Sequence, residues 1–472
     1  MARENSQIAV QEITVGRIAP AARAPLSSQD RYAFGGAARG LTRPQVIVAA
    51  AGMVLLASGM AVAARPTLTL LHHLFFIAFA ANALLRFGAA FVPRAATPAP
   101  RLSDAALPIY TVICPLYDEA GVVGELVANL QRLDYPRDKL QVFIALEADD
   151  LETQRAVAAL TLPSFIQVLV APPGEPRTKP RACNVALERA RGELVVIYDA
   201  EDKPHPRQLR EAAERFAAAP PSLACLQSPL RIEQEDGFLA GQFMLEYAAQ
   251  FEVLQPALAR FGAPFPLGGT SNHFRACVLR EVGGWDAFNV TEDADLGFRL
   301  ARGGYSLGVL SAPTWETAPR TMIEWLPQRT RWVKGYMQTF GVHTRGPNLL
   351  RPPSFAALLA TLGVSITSAF AHGPLAAWVL AAFAFGLAAG RTPPIPAADL
   401  ALLAAGWAGA AWAGYVGLRR AGRRVRARDL LLSPAYWPLQ SLAAGHALAQ
   451  LVQKPFHWDK TPHSPRAGRA AA

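Results

Sequence analysis

Residues 46–64, VIVAAAGMVLLASGMAVAA, contain no charged side chain and as a helix are long enough to span a bilayer. Nothing else constrains the chain as strongly, because a backbone surrounded by lipid must satisfy its own N–H and C=O groups. A second run, LTLLHHLFFIAFAANALLRFGAAFV at 68–92, follows after RPT and carries Arg86 near its inner end. Further apolar stretches occupy 354–372, 375–390, 398–418 and, less purely, 431–452. The first run starts too late and is too long for a cleaved signal peptide. Charged residues make up only 17% of the chain, against roughly 25% in soluble proteins, which agrees with several spans.

Five segments are expected. Residues 1–44 are polar, carry Arg3, Arg17, Arg23, Arg31, Arg39 and Arg43, and read as a cytoplasmic N-terminal tail. Residues 45–92 form two transmembrane helices, and the positive-inside rule then puts 93–353 in the cytosol. Residues 354–452 form C-terminal transmembrane or interfacial helices, and 453–472 a tail. If 354–372, 375–390 and 398–418 all cross, the Arg-rich RRAGRRVRARD at 419–429 ends outside, so one of the three is expected to re-enter or lie in the interface. The net charge of +10 sits mostly near the termini and beside apolar runs; this placement suits a lipid bilayer and argues against nucleic acid as a partner. Ala- and Arg-rich usage is that of a GC-rich bacterium, so the expected location is the bacterial inner membrane, multi-pass. Cys114, Cys183, Cys225 and Cys277 lie in the central region with no CxxC pair, as reduced thiols of a cytosolic domain would.

The central stretch alternates short β-rich runs (IYTVICPL, LQVFIALEA, IQVLVA, ELVVIYDA) with helical patterns such as ELVANLQRL, which predicts an α/β fold with a mostly parallel sheet. It has no GxGxxG fingerprint. Open α/β sheets bind ligands at their strand ends. There the sequence places Asp118, then Asp149 and Asp150, then Asp199, Glu201 and Asp202; Glu292 and Asp293 open an amphipathic helix. Singly, each could be a turn former or helix cap. Together they gather carboxylates along one rim, an arrangement that folding tolerates best with a cation among them. Asp199 and Glu201 have the spacing of a D-x-D-type clasp for Mg²⁺ (or Mn²⁺) on a diphosphate, and Asp202 follows, so either acid can be the second ligand. A metal-held diphosphate suggests a nucleotide sugar, and Asp293 is the candidate base for direct displacement with inversion.

In this order, Asp118, Asp149-Asp150, DAED, TED at 291–293 and QRTRW at 328–332 resemble the processive family 2 glycosyltransferases, such as cellulose, hyaluronan and poly-N-acetylglucosamine synthases. The resemblance covers about 108–340, and TED with QxxRW at this separation is its most specific part. It implies a GT-A-type domain flanked by transmembrane helices. By the resemblance, Asp118 and Asp150 contact uridine and Lys179 the nucleotide phosphates. Asp199 and Glu201 hold the metal, and Asp293 is the base with Glu292 beside it. Gln328, Arg331 and Trp332 bind the pyrophosphate and the acceptor sugar. Thr270 and Ser271 lie near the glycan end or simply cap a helix. KPFHWDKTPH near the C-terminus is a loop closing over the nucleotide, or an untethered tail. The pattern D-A-D is D-A-E here. The implied activity extends a β-linked polysaccharide from a UDP-sugar, with the growing glycan as acceptor and an export partner or homo-oligomer completing a path. Transfer of one sugar to a polyprenyl-phosphate lipid, or a non-catalytic membrane assembly component, are the alternatives.

Overall fold

The computed structural model describes residues 36–94, 99–233, 237–345, 351–392 and 395–458. Among these residues ten strands are formed: β1 (Tyr110–Leu116), β2 (Leu140–Glu147), β3 (Ile166–Ala171), β4 (Leu194–Ile197), β5 (Lys203–Pro204), β6 (Leu223–Gln227), β7 (Leu230–Ile232), β8 (Asn272–Arg275), β9 (Ser306–Val309) and β10 (Thr314–Glu316). Seven make one sheet in the order β3-β2-β1-β4-β8-β6-β9, and β5-β10-β7 make a small second sheet. In the large sheet only β8 runs against its neighbours. Because successive side chains alternate faces, Val112 and Cys114 join Val142, Ile144 and Val196 in one core. Ile113 joins Phe143, Ala145, Val195 and Ile197 in the other. Helices cover both faces, so the central strands are apolar throughout. The fold is a GT-A-like α/β fold with a mostly parallel sheet.

The parallel register brings Leu116 level with Leu146, and Ile113 level with Ile197. The loops after β1, β2 and β4 therefore open on one rim. The antiparallel β8 enters at that same rim, where Ser271 N–H donates to Ile197 O at 2.8 Å.

Among the described residues three helices are long and apolar enough to cross a membrane: Arg43–Ala89, the stretch Pro352–Ala388, and Ala397–Arg420. Straight, the first would measure about 70 Å. It is not straight. Ala63 leaves helical geometry (φ −145°, ψ 60°), and a Cβ on Gly59 would sit 2.7 Å from Thr67 Oγ1, a residue that a straight helix would carry about 12 Å away. The chain thus doubles back, and both ends return to the α/β domain: Gln45 Nε2 donates to Gly341 O at 2.8 Å, and Arg420 donates to Ala90 O and Val92 O at 2.9 Å.

Segments 354–372 and 375–390 form one helical stretch running through Pro374. Proline removes a helix hydrogen bond, and Ser441 of the neighbouring helix Ala427–Gln453 bridges the turn beside it: its Oγ accepts from Gly373 N–H at 2.8 Å and donates to Ala369 O at 2.5 Å. After Ala397–Arg420 the Arg-rich loop packs back on the chain, with Val425 and the following Leu430 against the cluster that holds Phe243, Met244 and Trp325. Arg420 is accordingly bound to backbone carbonyls of 90, 92 and 252 rather than facing lipid. The end of the expected N-terminal tail is also docked. Ala37 N–H donates to Asp286 Oδ2 at 2.6 Å, and Arg345 holds Gly36 O at 3.0 Å. The tail residues before 36, and those after 458, fall outside the described residues.

Candidate active site

A cavity of about 1020 Å³ opens at the sheet rim and continues between the apolar helices. Lys179, Asp199, Glu201, Thr270, Glu292, Asp293, Gln328, Arg331 and Trp332 all line it. Asp118, Asp149, Asp150, Asp202 and Ser271 do not.

Lys179 opens the helix Lys179–Arg189. Its ammonium is ion-paired with Asp199 and donates to Gly269 O at 2.7 Å. Burial alone would lower its pKa, but Asp199 and then Glu292 hold it above the ordinary lysine value. A Cβ on Gly269 would lie 3.5 Å from Asp293 Oδ2 and 3.8 Å from Lys179 Nζ, so the glycine keeps open the space where the acid and the ammonium meet. Glu292 and Asp293 start the helix Glu292–Arg302, where an N-terminus favours carboxylates. Burial nonetheless raises both. Asp293 is pushed up to about 6, with Lys179 and Arg331 opposing the rise, and its neighbour adds to the rise at Glu292. A carboxyl poised near neutrality suits a general base.

The five residues away from the cavity brace it. Asp150 caps the helix Leu151–Ala158 through Thr153 N–H at 3.1 Å, and its other oxygen accepts from Asp118 N–H. That bond holds Asp118 at φ +53°, a strained conformation for a non-glycine residue. Asp149 is ion-paired with Arg177 at the surface. Asp202 is buried; its Oδ2 accepts from Asp199 N–H at 2.7 Å and from Thr270 Oγ. Asp202 therefore shapes the turn that aims Asp199, and of the two acids that could partner Asp199 it is Glu201 that reaches the cavity. Ser271 is also buried, at φ +56°, with its hydroxyl on Thr314 Oγ1 at 2.6 Å, which leaves it unable to meet an acceptor.

Gln328, Arg331 and Trp332 lie on the helix Met322–His343. Gln328 Oε1 is buried without a hydrogen-bond partner among the described residues and lines the cavity. Arg331 lies over the Trp458 ring at 4.5 Å. Trp458 belongs to the segment that sequence left as a lid or a loose tail; its residues 455–458 are docked, with Pro455 O on Gln338 at 3.1 Å and His457 O on Lys334 at 2.7 Å. Arg329, between the motif residues, also borders the cavity. It pairs with Glu246 and lies over the rings of Trp332 at 4.5 Å and Phe243 at 4.9 Å, so the Trp332 indole is already packed against a cation.

Sequence reasoning missed Glu316, Glu246 and Tyr336, which also line the cavity. Glu316 ends β10, and burial, then Glu201 and Asp199, raise its pKa, while a hydrogen bond from Tyr247 opposes the rise. Among the described residues no cluster of three or more His, Cys, Asp or Glu has metal-holding geometry. The donor set nevertheless fits a hard cation that takes one or two carboxylates and completes its shell with phosphate oxygens and water. Asp199 and Glu201 are oxygen donors, and Glu316 beside them adds negative charge that a cation would relieve.

Fold and cleft together define a GT-A-type domain with a carboxylate rim joined to membrane-length helices. Residues 111–274 match the family Glycosyl transferase family 2, and residues 194–408 match Glycosyl transferase family group 2. A probable glycosyltransferase, YdaM, of Bacillus subtilis is 25% identical over 48% of this chain and 55% of its own length. A beta-monoglucosyldiacylglycerol synthase of Synechocystis is 30% identical over half of each chain. The cellulose synthase 1 catalytic subunit of Komagataeibacter xylinus is 28% identical over 53% of this chain and 33% of its own. The chain spans about half or less of the length of these curated relatives. Among solved structures, the mannosyltransferase PcManGT from Pyrobaculum calidifontis, in complex with GDP-Man and Mn²⁺, superposes with a TM-score of 0.54 at 23% identity, covering 80% of this chain and 98% of that one. The family matches and curated relatives support a glycosyltransferase.

Proposed function

We propose that the chain is a multi-pass, membrane-embedded inverting glycosyltransferase of family 2 type, with its catalytic domain on the cytosolic side of a bacterial inner membrane. One observation carries this reading: Lys179, Asp199, Glu201, Asp293, Gln328 and Arg331 share one cavity that runs on into the helices. A nucleotide sugar, UDP-linked by the resemblance, places its diphosphate among Asp199, Glu201, Lys179 and Arg331. Mg²⁺ or Mn²⁺ bound by Asp199 and Glu201 supplies charge neutralisation for that diphosphate. The acceptor hydroxyl gives its proton to Asp293, its oxygen bonds to the anomeric carbon from the opposite face, and the nucleoside diphosphate leaves with the electron pair of the broken C–O bond. Arg331 and Lys179 oppose the charge that develops on the leaving group.

The acceptor is a growing β-linked glycan if the QxxRW resemblance extends that far, and the cellulose synthase relatives favour that product. A lipid acceptor is favoured by a different observation: beyond the rim the cavity walls include Phe75, Phe79, Leu375 and Trp378, an apolar surface suited to a hydrocarbon chain, beside polar groups such as Asn82 and Arg86. The glucosyldiacylglycerol synthase relatives favour this product. Purified membranes with Mg²⁺ and labelled UDP- and GDP-sugars test the reading, with Asp293→Asn as control. Label in a glycosidase-sensitive polymer or in an organic-extractable lipid, lost in the variant, supports transfer and names the acceptor. No incorporation from any donor by folded protein refutes it.

A further inference from the structure

The donor site occupies only the domain-side half of the cavity. The other half lies between the returning arm of the first hairpin, the helix Val364–Ala388 and the helix Ala397–Arg420. On the returning arm Phe75, Phe79, Asn82 and Arg86 recur at helical spacing, and all four line the cavity. They form a gradient, with the cation near the α/β domain and the phenyl rings deeper.

Arg86 makes no hydrogen bond or ion pair among the described residues. The acid that acts on it electrostatically is Glu246, whose oxygens are engaged elsewhere: Oε2 accepts from Arg329 and from Tyr436 at 3.0 Å, and Oε1 from Gln440 at 3.4 Å. Beside Arg86, His372 stacks on Trp437 at 5.3 Å, and its Nδ1 is buried with no partner. Arg86 and His372 thus both line the cavity, the guanidinium with its hydrogen-bonding capacity unspent and the imidazole with a buried, unpartnered Nδ1. Cations within membrane helices are expensive and are normally paired. A bound anion would supply the missing partner, and a phosphate matches the planar fork of arginine.

Resting on the transferase reading above, we propose that this half of the cavity binds the acceptor as a phosphate-bearing lipid with a free hydroxyl on its head. The phosphate sits at Arg86 and His372. The hydrocarbon chain lies along Phe79, Leu375 and Trp378, and the hydroxyl faces the rim and Asp293. Neutral diacylglycerol would leave Arg86 unmet. A glycerophospholipid head and a polyprenyl-diphosphate-linked sugar share the required chemistry.

The test uses the full chain purified in detergent, with extracted lipid quantified by mass spectrometry and UDP and GDP binding measured by calorimetry in Mg²⁺. Wild type is expected to retain about one phosphate-bearing lipid per chain, Arg86→Gln at least tenfold less, and Arg86→Lys an intermediate amount. Ala410→Trp, which narrows the cavity from the facing helix and leaves the cation in place, is expected to lose the lipid as well. Reloading with phosphatidylglycerol, a polyprenyl-diphosphate sugar or diacylglycerol identifies the source, and diacylglycerol should fail. Nucleotide binding without any retained phospholipid overturns this inference alone, as does equal retention by Arg86→Gln or equal loading of diacylglycerol. Wild-type protein that binds neither nucleotide refutes the underlying reading instead.

Discussion

Gly335 lies so close to Thr291 that a Cβ there would overlap the threonine hydroxyl and come within 2.8 Å of its Cβ. The helix bearing Gln328, Arg331 and Trp332 therefore touches the turn bearing Glu292 and Asp293 through a residue without a side chain. Neither element can come closer without moving the other. Gly335→Ala is expected to push the base away from the motif and lower kcat/KM about tenfold to hundredfold, since a displacement near 1 Å can cost that much. A rate assay beside a melting curve checks it; unchanged kcat/KM in a folded variant would mean that this contact does not position Asp293.

Asp293 titrates near 6 because burial outweighs its nearby cations. A general base must be ionised, so kcat/KM is expected to rise with pH through about 6 and then level. Asp293→Asn should lose about 10²- to 10⁴-fold at every pH and abolish that limb. A limb near the ordinary aspartate value of about 4 would assign the base to another group.

Glu201 and Asp202 can be separated by metal titration. Glu201 lines the cavity, while Asp202 holds the backbone of Asp199. Asp199→Asn and Glu201→Gln are expected to raise the Mg²⁺ concentration for half-maximal rate at least tenfold, and chelation to silence the wild type. Asp202→Asn should act mainly on thermal stability. The reverse pattern would make Asp202 the ligand.

Arg329 is expected to matter for folding more than for turnover. Its side chain is 9% exposed and that of Glu246 35%. A fully buried pair broken on one side costs about 3–5 kcal/mol, so about 2–3 kcal/mol is the expected loss for Arg329→Gln with a partly solvated partner. Denaturant unfolding in detergent measures it. A loss below about 0.5 kcal/mol would show that the aromatic cage holds the helix by itself.

The rim was readable from sequence because each contributing strand is an apolar β-rich run that ends in carboxylates, and a parallel register sends those ends to one edge. Glu316 was not readable. It lies in a three-residue strand, TWE, whose partners β5 and β7 are far away in the chain, so no local period marks it. Arg329 and Arg331 look alike in QRTRW and both line the cavity, and only the helix phase separates the one paired with Glu246 among aromatic rings from the one over Trp458. The continuity of the helix through 372–374 was not readable for a different reason. HGP resembles a break, and the hydroxyl that bridges the turn there, that of Ser441, comes nearly seventy residues later.

The walls of the cavity come from both ends of the chain, from His72 to Trp458. The sheet and all of the rim carboxylates are complete once Glu316 has been synthesised. Tyr436, Gln440 and Trp458 leave the ribosome well after that, together with the helix that carries Ser441. A nascent chain thus acquires its rim acids before the last wall of the cavity, and a chain arrested before residue 427 has the acids and the three membrane-length helices but lacks the side closed by Tyr436, Gln440 and Trp458.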